Sequence, residues 1–147
     1  MADDDQPPLI LVDDRQSQPV DIDGLAALAR GCLIGEGAAN AELSLSLVTE
    51  DEISALHERY MGEPGPTDVL SFPLDEADET EDGLRLIGDV VIAPAVAARN
   101  NPGDPATELR LLVVHGILHL LGHDHALDEE RAEMWALQER YSGVQVP

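Results

Sequence analysis

Four of the chain's five histidines fall in one stretch of eleven residues, HGILHLLGHDH, at positions 115–125. His115 and His119 stand four apart, so on a helix their imidazoles share a face one turn apart. Gly122 lets the backbone turn after the second of them, and His125 can then come back toward the same point. Three neutral imidazoles around one ion, with a fourth position open, is the layout of a catalytic zinc site and not of a closed structural one. The spacing therefore predicts one Zn2+ ion on His115, His119 and His125. Zinc lowers the pKa of a bound water to about 7 and polarises a carbonyl or phosphoryl oxygen. Three imidazoles also suit nickel and copper. His123 is the spare: a substitute ligand, a supporting group or a solvent-facing turn residue.

The +4 and +10 spacing is that of the zinc motif of metzincin proteases, which favours His125 over His123 as the third ligand. Metzincins carry a glutamate directly after the first histidine, as general base. Here that residue is Gly116, so a metallopeptidase or amidase reading of the same zinc site lacks its base. The nearest carboxylate in sequence is Asp124. It is the candidate to orient an imidazole or accept a proton, with capping of the turn or of the next helix as the alternative. No general base is assigned beyond it.

The elements that must position these side chains follow from periodicity. Residues 104–122 open with Asp104 as N-cap and Pro105 at the first helical position, run as a long apolar helix, and stop at Gly122. Residues 42–48 alternate Leu43, Leu45 and Leu47 with polar partners, a half-buried strand. Strands are also expected at 9–13, 67–74 and 84–93. Pro73 argues for an edge position or a strand end, and Gly88 for a bulge. Helices are expected at 21–33, with Asp21 or Asp23 as cap; at 49–61, with Thr49 as cap and acids in the first turn; at 94–101; and at 127–143. The acidic run 75–83 reads as a solvated connection. The expected fold is α+β: a small mixed four-stranded sheet packed with about five helices, one of them a metzincin-like zinc helix. The whole chain, 1–147, reads as a single domain with residues 1–7 flexible.

Composition limits the function classes. The chain has 147 residues, 44% of them hydrophobic but only 3% aromatic, so its core must be aliphatic. No apolar run approaches the roughly 18 residues of a membrane span, and the acidic start MADDDQPP lacks the features of a signal peptide; the expectation is a cytoplasmic protein with no membrane partner. The single cysteine, Cys32, reads as a small buried apolar residue. The net charge is −22, and all eight basic residues are arginine. Such a balance repels polyanions at long range. A nucleic-acid substrate then requires arginines gathered at the cleft or delivery by a partner, and binding to naked RNA should be weak and salt-sensitive.

HGILHLLGHDH resembles the H-G-x-L-H-L-x-G-x-D-H signature of the YbeY family of rRNA maturation endoribonucleases. TDVLSFPLDE, residues 67–76, is similar to that family's T-[DN]-V-L-S-F-P block, and GDVVIAP, residues 88–94, to its G-D-[IV]-x-I block. The likeness spans most of the chain. It implies a metal-dependent endoribonuclease specific for single-stranded RNA. Its roles would be maturation of the small-subunit rRNA 3′ end and ribosome quality control, with the rRNA precursor and the ribosome or its associated proteins as partners. The family's ligands carry over to His115, His119 and His125, and Asp124 matches the aspartate before the last ligand. One position departs: many members have an arginine where this chain has Met61, and Arg59, two residues earlier on a helix, points some 200° away. Ser71 and Thr67 are candidates to line the cleft by hydrogen bonding. A ribosome-associated factor with a purely structural zinc is the non-enzymatic alternative.

Overall fold

The computed structural model describes residues 8–38, 40–65, 67–73, 85–122 and 128–143, excepting the side chains of Arg85 and of 128–131. The elements run β1 (Leu9–Asp14), α1 (Ile22–Gly35), β2 (Ala41–Leu47), α2 (Glu50–Met61), β3 (Val69–Pro73), β4 (Arg85–Ile92), α3 (Pro94–Asn100), α4 (Pro105–Leu120) and α5 (Asp128–Ser142). This is the α+β arrangement of a four-stranded mixed sheet and five helices that periodicity predicts.

The sheet order is β1-β2-β4-β3. β1 and β4 both run parallel to β2, and β3 pairs antiparallel with β4. β3 is thus an edge strand, where Pro73 removes no needed donor. The β2–β4 ladder slips by one residue, Glu42 facing Leu86 while Leu43 faces Gly88. This is the bulge expected at Gly88, whose φ of 142° suits glycine. A Cβ there would also collide with the Phe72 carbonyl.

Alternation along the strands divides the apolar residues between two cores. Leu43, Leu45 and Leu47 of β2, with Val90 and Ile92 of β4, face the larger one, where they meet α1, α4 and Met134 of α5. Val91 of β4 and Leu70 of β3 face the other way, into a smaller core with Ile53 of α2 and Val96 of α3. α4 is the central helix. Its N-terminus is capped by Asp104, whose carboxylate accepts from the Thr107 N–H, and Pro105 occupies its first turn. Its C-terminus stops as expected: Gly122 has φ 97°, and its N–H donates to the His119 carbonyl. Seven of its residues, Leu109 to Leu118, are buried, so the helix bearing His115 and His119 is clamped by packing along its length.

α2 is capped by the Thr49 hydroxyl, which accepts from Glu52 N–H at 3.1 Å, and it ends at Gly62 with φ 70°. This termination leaves Met61 beside the edge strand β3. Thr67 precedes β3 instead of opening it, because the strand starts two residues later than the apolar pattern suggests. Among the described residues no helix is long and apolar enough to cross a membrane.

Candidate metal centre and its cleft

His115 and His119 lie on one face of α4, as their spacing requires. Their rings meet edge to face at 74°, with centroids 4.5 Å apart, and their Nε2 atoms are 3.1 Å apart. Zn–N bonds of 2.0–2.1 Å at a tetrahedral angle place two ligand nitrogens about 3.3 Å apart. The two imidazoles therefore converge as two ligands of one ion would. Among the described residues no third His, Cys, Asp or Glu completes the group. The expected third ligand His125, with His123 and Asp124, lies outside the described residues.

The other nitrogen of His115 faces α5. Its Nδ1 is hydrogen-bonded to Oε1 of Gln138, which is only 3% exposed. An amide oxygen can only accept, so this contact favours the tautomer with the proton on Nδ1 and the lone pair on Nε2. That tautomer would make His115 Nε2 the acceptor in its contact with His119 Nε2.

Both histidines open onto a cleft of about 320 Å³ whose walls are Met61, Val69, Leu70, Ser71 and Pro73. α2 contributes Met61, half exposed, and the edge strand β3 the others. Ser71 lines the cleft as anticipated, and its hydroxyl donates to the Gly116 carbonyl at 3.1 Å, tying β3 to the helix beside His115. Thr67 is not among the lining residues. Behind His115 a second hollow of about 220 Å³ is bordered by Asp68, Glu108, Trp135 and Gln138. Burial and the neighbouring Asp68 carboxylate raise the Glu108 pKa above the usual range.

Gly116 has a structural reason. It is buried in the face of α4 that crosses the sheet, and a Cβ there would sit 2.7 Å from Val90 Cγ1 and 3.3 Å from Ser71 Oγ. The glutamate that follows the first histidine in metzincins has no room in this packing.

No arginine is among the cleft's described lining residues. Arg15 pairs with Asp13 at 2.9 Å and Glu52 at 2.5 Å, Arg99 pairs with Glu50, and Arg110 donates to the Ser142 carbonyl. Arg59 is exposed, its guanidinium 5.3 Å from the centre of the Tyr60 ring. It leaves the wall position to Met61, as the helical spacing implies. Sequence reading missed Gln138; its one signal is a polar residue in the stripe Met134, Gln138, Ser142, which recurs every fourth residue and is buried.

The sequence model of the family described as "Endoribonuclease YbeY" matches residues 12–143. The chain belongs to the endoribonuclease YbeY family. Among its relatives, the "Endoribonuclease YbeY" of Acidothermus cellulolyticus is 52% identical over 109 residues, covering 67% of this chain and 66% of the relative. That of a Parafrankia species is 51% identical over 126 residues, covering 78% and 79%. The solution structure of TM1509 from Thermotoga maritima superposes with a TM-score of 0.63 at 29% identity, covering 91% of this chain and 87% of that one. As a YbeY-family member the chain is an endoribonuclease, and its substrate class is RNA. Among the described residues, the paired imidazoles facing the cleft are a feature that can serve such chemistry.

Proposed function

We propose that this chain is a zinc-dependent endoribonuclease that cuts single-stranded RNA, with the ion held by His115, His119 and His125. The observation that carries the reading is the convergence of two imidazole Nε2 atoms, 3.1 Å apart, on the wall of an open cleft. Zinc bound there would supply Lewis-acid polarisation of a phosphoryl oxygen. The chain's own groups do the rest. His115 and His119 are held in register by a buried helix. Ser71 fixes the distance between that helix and the edge strand. Met61 and Pro73 shape an apolar lip over which a flexible single strand passes more readily than a stiff duplex. Asp124 remains the carboxylate proposed to orient a ligand or accept a proton.

The absence of arginine among the cleft's described lining residues and the charge of −22 support a substrate presented by a larger assembly over one captured from solution. This agrees with action on the small-subunit rRNA 3′ end and in ribosome quality control, with the ribosome or its associated proteins as partner and the cytoplasm as the setting. The test combines metal analysis with cleavage. Dialysed wild-type protein should retain one zinc per chain, and His115→Ala, His119→Ala and His125→Ala should lose it while keeping helical circular dichroism. Wild-type protein should cut a labelled single strand over its duplex, stop with chelator, and recover on zinc addition. Unchanged zinc in all three variants, or chelator-insensitive cleavage, refutes the site.

A further inference from the structure

The buried amide of Gln138 on α5 holds the His115 ring from the side away from the cleft. We propose that Gln138 is a positioning residue that selects the tautomer of His115 and so readies the metal-binding nitrogen; this rests on the zinc reading above.

A neutral histidine carries one proton on either ring nitrogen, and the tautomer follows from the partner offered to each. With its proton on Nε2, His115 would aim an N–H at the cleft and at His119, and could bind no ion there. With its proton on Nδ1, it aims a lone pair. Gln138 Oε1 sits against Nδ1 and can only accept, so it stabilises the second form. The bond runs between two helices, 23 residues apart in sequence, and is enclosed at the Gln138 end. Water therefore does not replace the acceptor cheaply.

Gln138 is itself held in place. Met134, one turn earlier, is fully buried, and the Ser142 hydroxyl, one turn later, donates to the Gln138 carbonyl. Arg110 of α4 in turn donates to the Ser142 carbonyl. α5 is thus tied to α4 both at the histidine and at its own end. With the proton of His115 on Nδ1, the two contacts become a directed chain: His119 Nε2–H to His115 Nε2, and His115 Nδ1–H to Gln138 Oε1. The fixed polarity of the amide oxygen sets its direction. An amide, unlike a carboxylate, does this without adding charge behind a ligand that already has Asp68 and Glu108 near it.

The test uses the full chain. In the metal-free wild type, 15N NMR of the imidazoles should show His115 protonated at Nδ1. Gln138→Met, similar in volume but without an acceptor, should shift His115 toward the Nε2–H form and weaken zinc affinity by about 10- to 100-fold in chelator competition. Gln138→Glu, which keeps an acceptor at this place, should restore the Nδ1–H form and most of the affinity. A wild-type His115 protonated at Nε2 overturns the proposal without any variant. So does a folded Gln138→Met with wild-type tautomer and affinity. If His115→Ala binds zinc as tightly as wild type, the zinc reading has failed, whereas the tautomer measurement still decides the role of Gln138.

Discussion

Replacing Gly116 by alanine tests how closely α4 is pressed to the sheet. In an open helix interior the change stabilises by about 0.8–1.0 kcal/mol. Here the added carbon would lie 2.7 Å from Val90 Cγ1 and 3.1 Å from Cγ2, against a side chain with no exposed surface. Overpacking of this kind costs about 1–3 kcal/mol, so the net effect is a destabilisation of up to about 2 kcal/mol. Val90→Ala removes both opposing methyls and, by itself, costs about 2–3 kcal/mol in lost burial and cavity. In that background the clash is gone, and Gly116→Ala should become stabilising by about 1 kcal/mol. The double-mutant cycle should therefore show a favourable coupling of about 1–3 kcal/mol between the two alanines. Urea unfolding of the four proteins gives the cycle directly, with unchanged m-values as the control for a two-state comparison. Zinc affinity adds a second readout, because a helix pushed off the sheet carries His115 and His119 with it. If Gly116→Ala stabilises by about 1 kcal/mol in both backgrounds, the close approach is not real, and the structural reason for the missing glutamate fails with it.

Other expectations are simpler. Met61→Arg places a cation on the cleft wall at a half-exposed position; single-strand affinity should rise, and the salt dependence should steepen by about 0.7 in the log–log slope if one phosphate is contacted. A slope that does not change would mean that RNA passes elsewhere. The Cys32 thiol is buried, and burial followed by the Glu36 charge pushes its pKa up to about 12. A thiol reagent at pH 8 should therefore not label native protein until it is unfolded, and rapid labelling would refute the burial. Glu108 titrates above its ordinary value of 4.5 because of burial and Asp68. A carboxyl raised in the fold costs stability once ionised, so Glu108→Gln should raise the melting temperature at pH 7, with the gain vanishing below pH 4.5. A gain that persists at acid pH would mean that packing, not ionisation, is responsible.

How far the sequence carried depended on whether the cause was local. The alternation of Leu43, Leu45 and Leu47 declares β2, and Asp104, Pro105 and Gly122 mark both ends of α4, because caps and periodicity act within a turn or a strand. The approach of His115 and His119 is legible for the same reason. The sheet order β1-β2-β4-β3 is not, since it depends on which distant strand each apolar face finds. Nor is Gln138, whose meaning arises only when α5 lies on α4. Gly116 shows both sides. In the sequence it is the place where a general base is missing; in the fold it is the contact that brings the histidines' helix onto Val90 and Ser71. Met61, noticed only because an arginine was expected, turns out to stand on the cleft wall.

The sheet ends on one side at β1, and that strand bears apolar side chains in the open: Leu9 and Leu11 are 38% and 48% exposed. Such a border invites a second copy to add its own strand, and the usual safeguards are brevity and like charge. β1 has six residues and closes with Asp13 and Asp14, and every approaching copy also brings twenty-two surplus negative charges. At 0.1 M salt that repulsion reaches about 10 Å, whereas at 1 M it reaches about 3 Å. The acidity that makes an RNA enzyme look implausible thus acts as a colloidal guard, and concentrated salt, so often added to keep proteins in solution, would remove it.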